Sequence, residues 1–423
     1  MLTTPRTVLG AADLTAAPTT TAPTTAAPTT TAPTTDQPAD DQPPTDQPAA
    51  DRPQDGRSAP GSQEALNSLT ELARHGAATA EEQRRLSPQV AAALVDAGLP
   101  RHFVPARWGG AAGSFARVLA DASAVAEACA AAGWCAALFA AHGRLAAYLP
   151  EEGQRELWAD GPDPRIASSI IPPQGRATEV AGGWRLDGRW RTASGVDHAE
   201  WVLLASWTEG PEGIREHRIF AVPRAELTVR DTWDPVGLRG SGSNSVTSEG
   251  IVVPAHRSFT LCALLGPLPG AARCHQVPYP MVAGLIFAAP VLGAARAALR
   301  AWTDECGPTA SGRPGWSLLL AGASARIHAA GLLLECSADR ADRGAITPLS
   351  VAENRRDAAT AAVLCREAVD ELFHACGMRG QAPDSRVQRA WRDVTTAAGH
   401  GALDLGTAAG AYADAALAAW GTR

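Results

Sequence analysis

Two segments, GRWRTASGVDHAEWVLLASW (residues 188–207) and QRAWRDVTTAAGH (residues 388–400), decide how this chain is interpreted. In the first segment four small residues, TASG, follow Trp190. A backbone with small side chains can lie close to a flat ligand, while the hydroxyls of Thr192 and Ser194 bond the edge of that ligand. An ordinary hairpin with a tight turn is the alternative interpretation of this segment taken alone.

In the second segment, Arg389, Asp393, Thr396 and His400 are separated by four, three and four residues. This spacing predicts that they line one face of a helix. A charged helix face is often simply solvated, so the spacing alone does not assign a function. The segment continues as AAGHG, and no Asp or Glu occurs between positions 394 and 403.

Composition separates one end of the chain from the rest. Residues 1–63 contain no Phe, Tyr or Trp and consist largely of Thr/Pro/Ala and Asp/Gln/Pro repeats, which predicts a disordered tail. Seven Asp and three Arg precede Gln63, so the tail carries −4 of the formal net charge of −7, and the weakly charged remainder gives no expectation of nucleic-acid binding. With no secretion signal and no run of about 18 uncharged apolar residues, we expect a cytoplasmic protein without a membrane span. The eight cysteines form no CxxC pair, and no metal site is expected.

The periodicity of apolar residues predicts an α+β fold in three parts after the tail. Residues 64–165 are expected to form an N-terminal helical domain, residues 166–277 a β domain of short strands, and residues 278–423 a C-terminal four-helix bundle. The predicted bundle helices cover residues 281–305, 316–339, 351–376 and 386–405.

The two segments and this order of elements resemble the two-component flavin-dependent monooxygenases of the acyl-CoA dehydrogenase fold, the group that includes the oxygenase component of p-hydroxyphenylacetate hydroxylase. The resemblance covers roughly residue 65 to the C-terminus. It implies a homotetramer that receives reduced FMN or reduced FAD from a separate flavin reductase, uses O2 as co-substrate and forms a flavin hydroperoxide shielded from water. The expected reaction is hydroxylation of an aromatic or otherwise electron-rich small molecule, and we expect the substrate to belong to natural-product or antibiotic biosynthesis.

The resemblance also implies three catalytic residues. Ser194 matches a serine near the flavin nitrogen that would shed the peroxide. His400 matches a residue that faces the reaction pocket, either as a general base for a phenol or as a single hydrogen-bond partner of the substrate. His142 lies eight residues after Trp134, a spacing that the family places beside the substrate pocket, although a lone helical histidine is more often structural.

The flavin contacts that the resemblance implies are spread over the whole chain. The segment 234–246, DPVGLRGSGSNSV, offers the further candidates Arg239, Ser241 and Ser243, but a glycine-rich turn explains it equally well. The loop at Gly377 departs from the usual pattern of the family. The implied flavin-binding residues are Trp134, Ser168, Ser169, Trp190, Thr192, Ser194, Arg389, Arg392 and Gly377.

Two rival functions share this fold. An acyl-CoA dehydrogenase or oxidase needs a carboxylate base, and the AAGHG segment lacks one where the family often carries it. A non-catalytic assembly protein would keep the fold without binding flavin. The chain has no dinucleotide-binding GxGxxG after a strand, no phosphate loop, no HExxH and no GxSxG motif, so those classes lose support.

Overall fold

The computed structural model describes residues 61–210, 213–310 and 315–421, with secondary structure alone for residues 308–310. These residues belong to one compact unit. The tail predicted to be disordered, residues 1–63, lies outside the described residues except for its last three, and Gln63 already begins the first helix.

The N-terminal part of the described chain is helical. Its helices are α1 (Gln63–Gln83), α2 (Pro88–Asp96), α3 (Phe115–Ala128), α4 (Ala130–Ala146) and α5 (Glu151–Leu157). The first two begin at serines whose side chains accept a backbone hydrogen bond, Ser62 in α1 and Ser87 in α2. These N-caps satisfy amide groups that have no partner inside the helix.

Helix α4 runs through the interior of the protein. It is separated from α3 by Cys129, whose extended backbone (φ −152°, ψ 112°) breaks the helix slightly earlier than the sequence predicted. Every residue of α4 except Ala141 is buried. Helices α3 and α4 pack closely at Gly133, because a Cβ atom added to this residue would lie 2.4 Å from the Cβ atom of Ala126 in α3. Helix α4 therefore carries Trp134 into the core.

Eight strands of the described chain form two four-stranded sheets. The strands are β1 (Ile166–Ser169), β2 (Arg176–Val180), β3 (Gly183–Ala193), β4 (Trp201–Glu209), β5 (Arg215–Pro223), β6 (Thr228–Arg230), β7 (Asn244–Pro254) and β8 (Ser258–Thr260). One sheet has the order β1-β4-β5-β8 and the other β2-β3-β7-β6. Strands β1 and β4 pair in parallel, and the other paired strands are antiparallel.

The TASG sequence lies where the chain crosses from one sheet to the other. Strand β3 ends at Ala193 in one sheet and β4 begins at Trp201 in the other, with a single 3-10 turn (Val196–His198) between them. The crossover presses against α4, because a Cβ atom at Gly195, which has φ +70°, would lie 2.7 Å from Phe139 Cζ. The segment is therefore a connection between sheets and not a hairpin.

Long helices return at the C-terminal end: α6 (Tyr279–Ala310), α7 (Trp316–Arg343), α8 (Pro348–Ala375), α9 (Arg386–Ala398) and α10 (Leu405–Gly421). The first four correspond to the predicted bundle helices, and α10 was not predicted. Helix α9 ends at Ala398, so the prediction that His400 continues its face is wrong. His400 instead caps a separate 3-10 turn, Gly401–Leu403, where glycines on both sides interrupt the helix.

Helices α6 and α7 are long and apolar enough, by length and composition alone, to cross a membrane. The sequence predicted no segment of this kind. In α6, 72% of the most apolar window is buried inside the protein, as expected for the central helix of a bundle, whereas the figure for α7 is 28%. Helix α7 therefore presents apolar side chains on the surface of the single chain, including Leu318 and Leu332.

The contact between α6 and α3 gives a test of the fold. A Cβ atom at Gly293 in α6 would lie 2.2 Å from the Ser123 carbonyl oxygen, so Gly293→Ala should lower the free energy of unfolding by about 1–3 kcal/mol through overpacking. Gly76 in α1 is the control, since its nearest neighbour would be 3.8 Å from the added atom. Gly76→Ala should instead stabilise the protein by about 0.5–1 kcal/mol, because alanine favours the helix. Denaturant unfolding measures both changes, and equal stability of the two variants would contradict the close contact.

Candidate active site

Four side chains from distant parts of the sequence meet between the β sheets and the bundle. The Trp134 indole Nε1 donates a hydrogen bond to Ser194 Oγ at 3.1 Å. The His400 ring stacks on Phe287, with ring centroids 3.7 Å apart. The Trp134 ring lies 5.3 Å from the Phe287 ring and 5.9 Å from the His400 ring. The structure thus brings three predicted site residues, Trp134, Ser194 and His400, into one cluster.

The protonation of His400 follows from its surroundings. Burial lowers the pKa of His400 to about 4, so the ring is neutral at neutral pH. Its Nδ1 atom accepts a hydrogen bond from the Ala402 backbone N–H at 3.2 Å, so the single ring proton belongs on Nε2. In this arrangement His400 offers an N–H donor to a ligand, and a general base would require the other tautomer.

Ser194 is joined to two further buried serines. Its Oγ atom lies 2.7 Å from Ser243 Oγ, and Ser243 Oγ lies 2.8 Å from Ser241 Oγ. Both partners belong to the GSGSNS segment, for which a functional site and a glycine-rich turn were the two alternatives from the sequence. The hydrogen bonds of Ser194 Oγ with Ser243 and with Trp134 together fix the position of this hydroxyl.

The turn that carries these serines is held by helix α9. Asp393 Oδ1 accepts a hydrogen bond from the Leu238 backbone N–H at 2.6 Å. Leu238 has φ +53°, a conformation that a leucine adopts only when its surroundings enforce it. The approach is also close at Gly237, where a Cβ atom would lie 2.0 Å from the Arg392 carbonyl oxygen. Helix α9 thereby positions the serine chain as well as the turn of His400.

The ionisation of Asp393 is altered by this location. Burial is the largest influence and raises the pKa of Asp393 to about 6, while the hydrogen bond from Leu238 acts in the opposite direction. The folded protein therefore binds a proton on Asp393 more tightly than the unfolded chain does. Ionisation of this group costs stability as the pH rises from about 4 towards 6.

His142 is placed differently from the sequence prediction. Its Nδ1 atom lies 2.6 Å from the Ile166 carbonyl oxygen, to which it donates, and its Nε2 atom lies 2.8 Å from Ser168 Oγ. Burial lowers the pKa of His142 to about 4, which keeps the ring neutral. Both ring nitrogens are thus occupied by the protein. Although His142 and Trp134 are on the same helix, eight residues rotate them apart, and His142 faces strand β1 and holds Ser168.

Two predicted flavin contacts point into the sandwich instead. Trp190 has no exposed surface, and its Nε1 atom donates to the Ala205 carbonyl oxygen at 2.9 Å. Ser169 is buried and donates to the Arg191 carbonyl oxygen at 2.6 Å. Alternation along a strand sends every second side chain to the inner face, which explains both positions. The Trp190 and Ser169 side chains are therefore directed into the sandwich, and the prediction that they contact flavin is wrong.

The predicted arginines divide into two kinds. Arg392 pairs with Glu81 and donates to the Val236 carbonyl oxygen at 2.8 Å, so it joins α9 to α1 and to the serine turn and is not available to a flavin. Arg389 lines a cleft of about 200 Å³ together with Asp393 and remains a candidate ligand. Gly377 lies in an exposed turn after α8. This turn precedes the N-terminus of α9, whereas His400 follows its C-terminus, so the two residues are at opposite ends of that helix.

A carboxylate base is missing from the cluster. Within the described chain, no hydrogen bond or ring contact of Trp134, Ser194 or His400 involves an Asp or Glu side chain. Asp404, the acidic residue nearest to His400 in sequence, is exposed and bonds Thr407. In the described chain, these three side chains therefore have no carboxylate partner of the kind that removes the α-proton in acyl-CoA dehydrogenases.

Phe287 was not among the site residues predicted from the sequence. It lies in the first third of α6, in a stretch rich in Ala, Leu and Val, and no motif distinguishes it from a core residue. Its role as the stacking partner of His400 depends on the crossing of α6 with the end of α9. Only a three-dimensional structure identifies such a contact.

Known proteins resemble this chain along most of its length. Residues 285–405 match the family model described as acyl-CoA dehydrogenase, C-terminal domain. The chain is 30% identical over 367 residues to the flavin-dependent monooxygenase oxygenase subunit HsaA of Rhodococcus jostii, covering 81% of this chain and 94% of the relative. It is 31% identical over 360 residues to the oxygenase component of the FADH2-dependent resorcinol hydroxylase of a Rhizobium species, covering 78% and 88%.

A solved structure agrees with these relatives. The crystal structure of the 3-HSA hydroxylase from Rhodococcus sp. RHA1 matches with a TM-score of 0.78 and 27% sequence identity. The match covers 85% of this chain and 96% of the other chain. The helical part, the two sheets and the bundle are therefore all included in the similarity.

The contact between Asp393 and Leu238 can be tested by two substitutions. Asp393→Ala should lower the free energy of unfolding by about 1–3 kcal/mol, because the Leu238 N–H loses its partner. Asp393→Asn keeps an acceptor oxygen without a titrating group, so it should match or exceed the wild type in stability at pH 7.5.

The pH dependence separates the two effects. Wild-type stability should contain a decrease between about pH 4 and 6, as Asp393 ionises, that is absent from Asp393→Asn. Denaturant unfolding at several pH values measures this difference. If Asp393→Asn were as unstable as Asp393→Ala, the charge and not the hydrogen bond would be the important feature.

Proposed function

The chain belongs to the family of flavin-dependent monooxygenase oxygenase subunits built on the acyl-CoA dehydrogenase fold, and we propose that it hydroxylates an aromatic small molecule in natural-product biosynthesis. The resemblance found in residues 188–207 and 388–400 is thereby confirmed. The protein is an enzyme, the oxygenase component of a two-component system that uses reduced flavin and O2. The single observation that supports an aromatic substrate is the cluster of neutral His400 with the rings of Trp134 and Phe287.

The flavin is proposed to lie against the crossover between the two sheets. Thr192 is exposed there, and Ser194 follows it by two residues. Ser168 lies on strand β1, next to Ser169, which bonds the Arg191 carbonyl oxygen.

The Thr192 hydroxyl donates its proton to the Arg191 carbonyl oxygen, and the Ser168 hydroxyl donates to Nε2 of neutral His142. Their oxygens therefore suit the N–H donors on the edge of a flavin ring, to which they would serve as acceptors. When bound, the reduced flavin supplies the two electrons with which O2 is activated for transfer of one oxygen atom to the substrate.

His400 is proposed to bind the substrate as a donor. Its Nε2–H would bond an oxygen of the substrate, such as that of a phenol, and would hold the ring carbon to be hydroxylated in a fixed direction. The aromatic faces of Trp134 and Phe287 would bound the space and keep water from it. A positive charge is not required, since burial keeps His400 neutral.

The partners follow from the same assignment. A separate flavin reductase is proposed to deliver reduced FMN or reduced FAD, and the name of the resorcinol hydroxylase favours FAD. A homotetramer is proposed because α7 exposes Leu318 and Leu332, at 77% and 48% of their surface, on the single chain. An apolar helix face of this kind suits burial against further copies of the chain. The enzyme is proposed to be cytoplasmic.

Flavin binding is the first test of this function. The protein should bind reduced FMN or reduced FAD in anaerobic titration, and after O2 is admitted with an aromatic substrate it should yield a hydroxylated product. Ser194→Ala should raise the dissociation constant for reduced flavin by about tenfold, through loss of a hydrogen bond. Ser248→Ala is the control, because Ser248 is a buried serine on β7 that bonds the Leu186 carbonyl oxygen. Absence of reduced-flavin binding by the wild type would contradict the proposal.

The role of His400 is tested by comparing two substitutions. His400→Gln retains an N–H donor and should hydroxylate about tenfold faster than His400→Ala, the effect of one hydrogen bond. The wild-type rate should also show no inflection near pH 6.5, because the lowered pKa keeps the ring neutral down to about pH 4. Equal loss of activity in both variants, together with an inflection near pH 6.5 in the wild type, would identify His400 as a base instead.

A further inference from the structure

Two buried cysteines meet at the junction of α6 and α8. Cys306 lies in the last turns of α6, Cys376 caps the C-terminus of α8, and their Sγ atoms are 3.2 Å apart. Only 2% of the Cys306 surface and 8% of the Cys376 surface are exposed. The two thiols are thus in direct contact although 70 residues separate them in sequence.

The contact is built into a tightly packed junction. A Cβ atom at Gly380 would lie 2.8 Å from the Cys376 Cβ atom, so the turn after α8 passes closely over this cysteine. On the other side, Glu305 accepts hydrogen bonds from Ser385 Oγ at 3.2 Å and from the Arg386 backbone N–H at 3.2 Å. The cysteine pair therefore lies where α6, α8 and the start of α9 are joined.

We propose that Cys306 and Cys376 form a buried dithiol that a peroxide converts slowly into an intramolecular disulfide. The first thiol sulfur attacks one oxygen of hydrogen peroxide, the O–O bond breaks, and a sulfenic acid and one water are formed. The second thiol then attacks this sulfur, the S–S bond forms, and the sulfenic oxygen leaves as a second water. The two sulfurs are oxidised and the two peroxide oxygens are reduced, so that the balance is two thiols and one peroxide to one disulfide and two waters.

Two physical effects determine the rate. Burial raises the pKa of Cys376 to about 12, with a contribution from its contact with Cys306, so little thiolate is present and the first attack is slow. The second step is fast because the partner is already in place, which can be equivalent to an effective concentration of about 10⁵ M or more. The exposed Cys262 and Cys336 react more readily, but their oxidation gives no linkage between positions 306 and 376.

The source of peroxide rests on the proposed function. If reduced flavin bound at the proposed site passed two electrons and two protons to O2 without oxygenation of a substrate, hydrogen peroxide would be the product. A disulfide at the junction would close a long loop through α7 and α8 and thereby restrict the unfolded chain. The linkage would stabilise the bundle while reduced flavin is oxidised without a substrate. It would leave the site around His400 unchanged, because His400 lies at the C-terminal end of α9 and the cysteine pair lies near its N-terminal end.

The test uses the full-length protein without flavin and adds hydrogen peroxide directly, so its outcome does not depend on the oxygenase assignment. Peptide mapping without reductant should show a linkage between the Cys306 and Cys376 peptides, with loss of two hydrogens. The midpoint of thermal unfolding should rise by several degrees and return on treatment with dithiothreitol. Cys365→Ser is the matched control, since Cys365 is a buried cysteine on α8, and it should form the same linkage.

The variants Cys306→Ser and Cys376→Ser should remain unlinked at these positions and gain no thermal stability from peroxide. If the folded wild type forms no such linkage, or if either cysteine is oxidised to the sulfinic acid without linkage, the proposal is overturned. A parallel sample receives reduced flavin and O2 without substrate, with and without catalase. Linkage by added peroxide but none in this sample would retain the dithiol and reject the enzyme as the source of its oxidant.

Discussion

The hydrogen bond from the Leu238 backbone N–H to the Asp393 carboxylate is the contact on which the rest of the site depends. It joins the β domain to the bundle and holds a leucine in a left-handed conformation. The turn fixed in this way carries Ser243, which positions Ser194, while the same helix leads into the turn of His400. Helix α9 thereby sets the distance between Ser194, at the proposed flavin site, and His400, at the proposed substrate site.

Burial and backbone bonding give His400 its chemical character. In water an imidazole is a base near neutrality, but a ring out of water with Nδ1 occupied by a backbone N–H is a neutral donor through Nε2. The same principle applies to His142, whose two nitrogens are both used inside the protein. Two histidines that look equivalent in sequence are therefore distinguished by their hydrogen-bond partners: His400 has a nitrogen to offer a ligand, and His142 positions Ser168.

Three residues with separately predicted site roles, Trp134, Ser194 and His400, meet in one cluster in the structure. They belong to segments in which several residue types occur together in a specific order. The errors have a common cause. Trp190 lies in the same segment as Ser194, but the alternation of the strand turns it into the sandwich, and a segment-level match does not resolve which face a side chain takes. Arg392 was expected at the flavin but is engaged by Glu81, a partner more than 300 residues away.

The sequence by itself determined the α+β class, the order of helices, strands and bundle, and the family, because periodicity and short motifs are local properties of the chain. It also determined that the AAGHG segment lacks the usual acidic base. Only the tertiary structure decided that Phe287 stacks on His400, that Asp393 holds the serine turn and that Cys306 meets Cys376. Each of these contacts joins positions far apart in the chain, and their distances are set by how helices and sheets pack against one another.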